Sequence, residues 1–298
     1  MNVRQLLFFS LITLNITNYI SAQSTEDTTS LLEPVPDSEK PIDYTTASFK
    51  TDRIINLHSL ESTAPGVLDF KISHRFGSVK DGLYDMFGLD EAQMRLGFDL
   101  GLTDRLAIGV GRSNYLKVYD GYVKYKVLRQ RDDGKMPITA SIVAAMGIST
   151  VKLVDPKLDF NSRLYYCYQL LLGRKFSEGF TFELAPTLLH RNYVTTADQT
   201  NDVIAIGAGI RQKISRRVSL NLEYIYVLPN QLGDGFKNAA SIGFDIETGG
   251  HVFQLHFSNS QGMNEKGFIT ETTDDWKNFE VHFGFNISRV FTLWGKQW

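Results

Sequence analysis

The side chains able to do chemistry in this 298-residue chain are charges of both signs set at alternate positions among apolar residues. Lys71, Arg75, Arg95, Lys124, Lys126, Arg163 and Arg211 are opposed by Asp69, Asp99, Asp120, Glu183, Glu223, Asp245 and Glu280. Two readings fit such a set. One is a mutually neutralising network that fills an interior and fixes its shape. The other is the charged wall of a narrow pore that selects solutes. Gly97, Gly101, Gly109, Gly111, Gly207, Gly209, Gly243 and Gly284 share that parity. They leave space for a path, and they equally suit a curved sheet.

His256 and His282 also fall on the polar parity, with Glu280 nearby. A pair of imidazoles and a carboxylate could hold a metal. No ligand spacing of a known metal site accompanies them, so satisfied or solvated histidines are expected, with no metal and no cofactor. His256 and Ser258 share a parity, and a Ser-His pair is what a lipid hydrolase requires. With no Gly-x-Ser-x-Gly elbow in the chain, no catalytic activity is expected. Cys167 is the only cysteine, which rules out an internal disulfide. The net charge of -2 is spread along the chain and argues against a nucleic-acid partner.

These residues are positioned by alternation with period two, which recurs in segment after segment. Met94, Leu96, Phe98, Leu100 and Leu102 alternate with Arg95, Gly97, Asp99 and Gly101; after a short turn at residues 103–105, Leu106, Ile108 and Val110 alternate with Ala107, Gly109 and Gly111. The same pattern runs through Tyr119 to Val127, Phe180 to Leu188, Ile204 to Arg211, Val218 to Tyr226 and Phe279 to Ser288, and more weakly through five further stretches. About twelve strands result, each near the ~9 to 11 residues that cross a bilayer at a tilt. Tight links, as at Ser215 to Arg216, alternate with longer ones, as at Asn259 to Lys277. Short periplasmic turns and long outer loops give that parity.

The N-terminus sets the compartment. Arg4, the apolar run Leu6 to Ile16 and the small residues Ser21-Ala22 read as a cleaved signal peptide over residues 1–22. Residues 23–65 read as a flexible periplasmic leader and candidate lid or plug; Gln23 to Tyr44 is rich in Thr, Ser, Pro and acidic residues, too polar to offset its ordering entropy. Residues 66–298 read as one barrel. A two-sheet sandwich would also hide one face per strand. Export, loop parity and tyrosines near strand ends favour a transmembrane barrel with its apolar face toward lipid. Arg289 interrupts the apolar face of the last segment.

Several stretches carry a likeness to a known group: His74-Arg75-Phe76-Gly77, Phe87-Gly88-Leu89-Asp90, Gly101-Leu102-Thr103-Asp104-Arg105 running to Gly111-Arg112-Ser113, Tyr119-Asp120-Gly121 leading to Leu128-Arg129-Gln130, residues 249–257, and Gly284 to Arg289. Together they make the chain resemble an uncharacterised family of Gram-negative outer-membrane β-barrels, a domain-of-unknown-function family. The resemblance implies a barrel and an outer-membrane location and brings no activity with it.

The expectation is therefore an all-β, antiparallel up-and-down transmembrane barrel of about twelve strands in the outer membrane. Its lumen would be lined by Lys71, Arg75, Arg95, Asp99, Lys124, Lys126, Arg163, Glu183, Arg211, Glu223, Asp245, His256, Glu280 and His282. Two roles follow: a porin-like narrow channel or binding barrel for a small polar solute, or a sealed structural or docking barrel that anchors a periplasmic or surface protein.

Overall fold

The computed structural model describes residues 43–151, 159–249 and 251–294. The expected signal peptide and the leader up to residue 42 lie outside the described residues.

The alternating segments form twelve strands: β1 Val67–Ser78, β2 Ala92–Gly101, β3 Leu106–Ser113, β4 Val118–Leu128, β5 Thr139–Ser149, β6 Leu164–Lys175, β7 Phe180–Arg191, β8 Asp202–Lys213, β9 Val218–Val227, β10 Ala240–Thr248, β11 His251–Ser258 and β12 His282–Thr292. Each pairs antiparallel with its sequence neighbours, and β1 closes on β12. Closure leaves no edge strand, so the backbone is satisfied around the whole ring. The fold is the closed up-and-down barrel that the periodicity specifies.

Alternation becomes two faces. In β7, Thr181, Glu183, Ala185, Thr187, Leu189 and Arg191 are buried, while Leu184, Pro186 and Leu188 between them are exposed on the outer wall. The β6–β7 ladder skips from Gln169–Thr187 to Leu172–Leu184, where Pro186 supplies no N–H. The seam between β1 and β12 runs in register from Val67–Thr292 to Arg75–Gly284, followed by a bulge before Ser78–His282. Arg289 does not end β12. It sits exposed on the outer face near the strand's end, its guanidinium 5.2 Å from the Phe291 ring centroid.

The short turns gather at one end of the barrel. At the other end stand the long connections, of which that between β11 and β12 carries a short helix, α1 Glu265–Thr270. What fills the barrel is the stretch ahead of β1. Residues 52–60 are all buried.

Candidate functional site in the barrel lumen

Residues 43–65 enter and leave at the short-turn end. Thr45 donates its N–H to Gln130 O at 2.9 Å, and Gly66 donates to Gly101 O at 2.9 Å. Between these anchors the chain makes a hairpin: Ser59 N–H reaches Asp52 O and Ile54 N–H reaches Leu57 O, both at 2.8 Å, with Arg53 bridged to His58. The tip would leave three backbone donors bare. The β9 carboxylate of Glu223 takes all of them on Oε2, from Ile55 at 3.1 Å, Asn56 at 2.8 Å and Leu57 at 2.9 Å, while Oε1 accepts Asn56 Nδ2 at 2.9 Å. Consecutive N–H groups around one anion form a nest, here closed by the wall's own side chain.

The hairpin has an apolar side and a polar side, and the wall matches both. Phe49, Ile54, Leu57 and Leu60 pack into one cluster with Val143, Cys167, Leu171, Leu189, Val203 and Ile225 from β5, β6, β7, β8 and β9. Burying four such side chains contributes roughly 6 to 12 kcal/mol. Glycines make room for it. A Cβ on Gly207 would stand 2.7 Å from Leu57 Cδ1, and one on Gly209 would overlap Ile54 Cδ1.

Most of the charges stand in the opposite sector, on β1, β2 and β4, while Glu183, Arg211 and Glu223 share β7, β8 and β9 with the apolar cluster. Lys71 pairs with Asp52 of the hairpin, with Asp99 at 2.7 Å and with Asp69 at 3.3 Å. Lys124 donates to the hairpin carbonyls of Ser59, at 2.5 Å, and Glu61. Arg75 donates to Asn56 Oδ1 at 2.6 Å, to Ser260 O and, through Nε, to His256 Nε2 at 3.2 Å. Arg211 reaches the carbonyls of Ala47 and Ser48 at 3.2 and 3.3 Å. Gln254 Nε2 bridges Ile54 O and Asp245 Oδ1, both at 2.8 Å. Arg95 pairs with Asp120 across the wall, and Glu183 is buried on β7. Beside Asp52, Lys71 and Arg95 the free space is only about 20 Å³, room for about one ordered water.

From the long-loop end α1 descends to meet the hairpin. Phe268 and Ile269 join the apolar cluster, and Asn264 caps the helix by accepting Gly267 N–H at 3.0 Å. Gly262 and Gly267 touch so closely that a Cβ on Gly262 would stand 2.5 Å from Gly267 Cα. Glu265 accepts from Arg53 Nη2 at 2.9 Å and lies 3.3 Å from His58 Nε2. Burial opposes charge on Glu265, but Arg53 and the His58 hydrogen bond outweigh it and hold the carboxyl well below its usual range. Burial, reinforced by Arg53, lowers His58 to about 3 and keeps it neutral. Its ring meets Tyr122 edge-on at 4.4 Å.

Some expected lumen residues lie elsewhere. Arg163 belongs to a 3-10 turn ahead of β6 and donates to Val151 O at 3.2 Å, because the strand begins only at Leu164, whereas the alternation starts at Phe160. Glu280 precedes β12 and pairs with Lys80 at 2.6 Å at the long-loop end, since Phe279 turns the backbone left-handed at φ 57°. Lys126 is half-buried near the short-turn end. His256 and His282 stand on neighbouring strands but face different partners: His282 Nε2 lies 2.6 Å from Asp274 Oδ2, and its Nδ1 lies 3.0 Å from Phe76 O. The Ser258 hydroxyl bonds Ser241 and Ser260 N–H. Among the described residues, no three His, Cys, Asp or Glu side chains are grouped to hold a metal.

Sequence reasoning missed the apolar half of the lumen; residues 23–65 read as a candidate lid or plug, but neither the hairpin nor its contacts were foreseen. A signal for the first was present: Ile142-Val143, Leu188-Leu189 and Tyr224-Ile225-Tyr226-Val227 are apolar on both parities. In a barrel with a wet lumen the inward position should be polar or small.

Comparison with known sequences decides the family. A family model described as "Membrane bound beta barrel domain (DUF5777)" matches residues 49–291. The chain belongs to this family. The matched span of this membrane-bound barrel family begins at Phe49, so it takes in the buried hairpin as well as the strands. No curated protein matches the sequence. Among solved structures the chain is similar in fold to the NanC porin, at 11% identity and TM-score 0.48, covering 76% of this chain and 98% of that one. It is similar also to the KdgM porin, at 7% identity and TM-score 0.47, covering 76% and 99%. A third likeness is to the outer membrane phospholipase A from Escherichia coli, at 11% identity and TM-score 0.44, covering 82% and 98%.

Proposed function

We propose that this membrane-bound barrel sits in the bacterial outer membrane as a sealed, non-enzymatic barrel, with its N-terminal leader presented on the periplasmic side to dock a protein partner. One observation carries the reading: the hairpin at residues 49–62 and α1 fill the lumen from opposite ends and meet at the Arg53–Glu265 pair. An apolar core of Ile54, Leu57, Phe268 and Ile269 where the two meet supports a closed lumen. The hairpin's limbs emerge at the end with the short turns, which in such barrels faces the periplasm.

A gated channel for a small polar solute is the second reading. It is favoured by the charged sector of the wall, and by the way the hairpin joins the barrel sheet at its two ends, through Tyr44–Arg131 and Pro65–Gly101. Such a segment can leave without breaking the ring of strands. Planar-bilayer recording separates the two. The intact chain should be silent across a range of salts; steady, stepwise conductance would refute the sealed reading. Deleting residues 48–62 should open discrete steps under the channel reading, and silence there would refute it. Docking is tested by deleting Gln23 to Tyr44, which should abolish co-purification of a periplasmic protein.

A further inference from the structure

The outer wall carries a crevice on β8, β9 and β10. Along the outward face of β8, the series Ile204, Ile206, Ile210 is broken by Ala208; on β10, Ala240 precedes Ile242, Phe244 and Ile246. Register places Ala208, Tyr224 and Ala240 in one row across β8, β9 and β10, with Ile210, Leu222 and Ile242 in the row below. A small-large-small row beside a row of three large residues leaves a depression. Trp276, from the β11–β12 connection, closes one side of it to give an apolar crevice of about 340 Å³.

The polar atoms on its rim are already engaged. Trp276 Nε1 donates to Ala240 O at 2.9 Å, and the Tyr224 hydroxyl accepts Asn238 Nδ2 at 3.0 Å. What remains is hydrocarbon, continuous with the lipid-facing wall and bounded by a tryptophan of the kind that sits at bilayer interfaces. We propose that this crevice is a binding site for one acyl chain of a bilayer lipid, selected by its hydrocarbon rather than its headgroup. The connection that supplies Trp276 also supplies Glu265 to the Arg53 contact inside the barrel. A seated chain therefore braces, from outside, the loop that closes the lumen.

The test uses the full chain with Trp294→Phe and Trp298→Phe, which leaves Trp276 as the sole tryptophan of the three. In detergent, it is titrated with phosphatidylcholine brominated in the acyl chain. Quenching of Trp276 emission should saturate near one lipid per chain. Ala240→Leu and Ala208→Leu, which fill the crevice from different strands, should each weaken binding about tenfold or more, a change of roughly 1.4 kcal/mol. Quenching that rises in proportion to lipid without saturating, or with the same midpoint in both variants, overturns the site, as does no quenching at all. If one leucine variant fails to fold, the other and the parent titration still decide the matter.

Discussion

Replacing Glu223 by alanine tests the hairpin anchor directly. Its carboxylate accepts three consecutive backbone N–H groups and one side-chain amide, each at 2.8 to 3.1 Å. Hydrogen bonds to a charged acceptor contribute about 1.5 to 3 kcal/mol each, and a buried donor left bare costs about 1 to 3 kcal/mol. These effects are not additive, so a loss of roughly 4 kcal/mol for the seated hairpin is a conservative figure. The apolar side, Phe49, Ile54, Leu57 and Leu60, still holds it in place. The hairpin should therefore open locally more often rather than leave. At 1.4 kcal/mol per decade, the open population rises about a thousandfold. Hydrogen exchange reads this at the amides of Ile55, Asn56 and Leu57, which should exchange roughly a thousandfold faster while the strand amides hold. Glu223→Gln keeps an acceptor for the three N–H groups and sacrifices the Asn56 side-chain bond, so its effect should be much smaller. If Glu223→Ala leaves those three amides within tenfold of the parent, the nest does not hold the hairpin and the reasoning fails.

Two further outcomes follow from the lumen. Gly209→Val places carbon where Ile54 Cδ1 sits, an overpacking worth about 1 to 3 kcal/mol, and should raise protease sensitivity of residues 48–62; adding Ile54→Ala should restore protection, and failure of that rescue would show that the two do not touch. Acidification should loosen the hairpin from α1. His58, neutral when seated with a value near 3, takes a proton from about 6.5 downward once released, so seating weakens as pH falls below 6.5; Glu265, held below 4.5, adds a further loss below that pH. Protease protection of the hairpin should therefore fall from pH 7 to pH 5, and His58→Gln should flatten that step; a pH-independent parent would refute it.

The periodicity of two was enough for the barrel. Because a strand's side chains alternate faces, the spacing of Leu96, Phe98 and Leu100 against Arg95, Gly97 and Asp99 dictates which residues look outward, whatever the neighbours are. The alternating turn lengths then fix an antiparallel ring. Inward placement of Lys71, Arg75, Arg95, Lys124 and Glu223 follows from the same local rule.

That rule has no purchase on the lumen's contents. Phe49, Ile54, Leu57 and Leu60 follow no regular alternation, and the stretch that holds them reads as a candidate lid or plug without any sign of what it would touch. Their burial depends on residues far along the chain: Glu223 for the tip, Gly207 and Gly209 for room, Glu265 for Arg53. Each contact is formed only once the ring has closed and brought those walls within reach. The same holds for Arg163 and Glu280, whose parity was right for a lumen but whose strands begin just after them. Sequence alone thus determined the ring and the facing of its residues, through backbone geometry that each strand carries by itself. Only the tertiary structure decided that the ring is filled, because the filling is a match between surfaces that the chain does not place side by side.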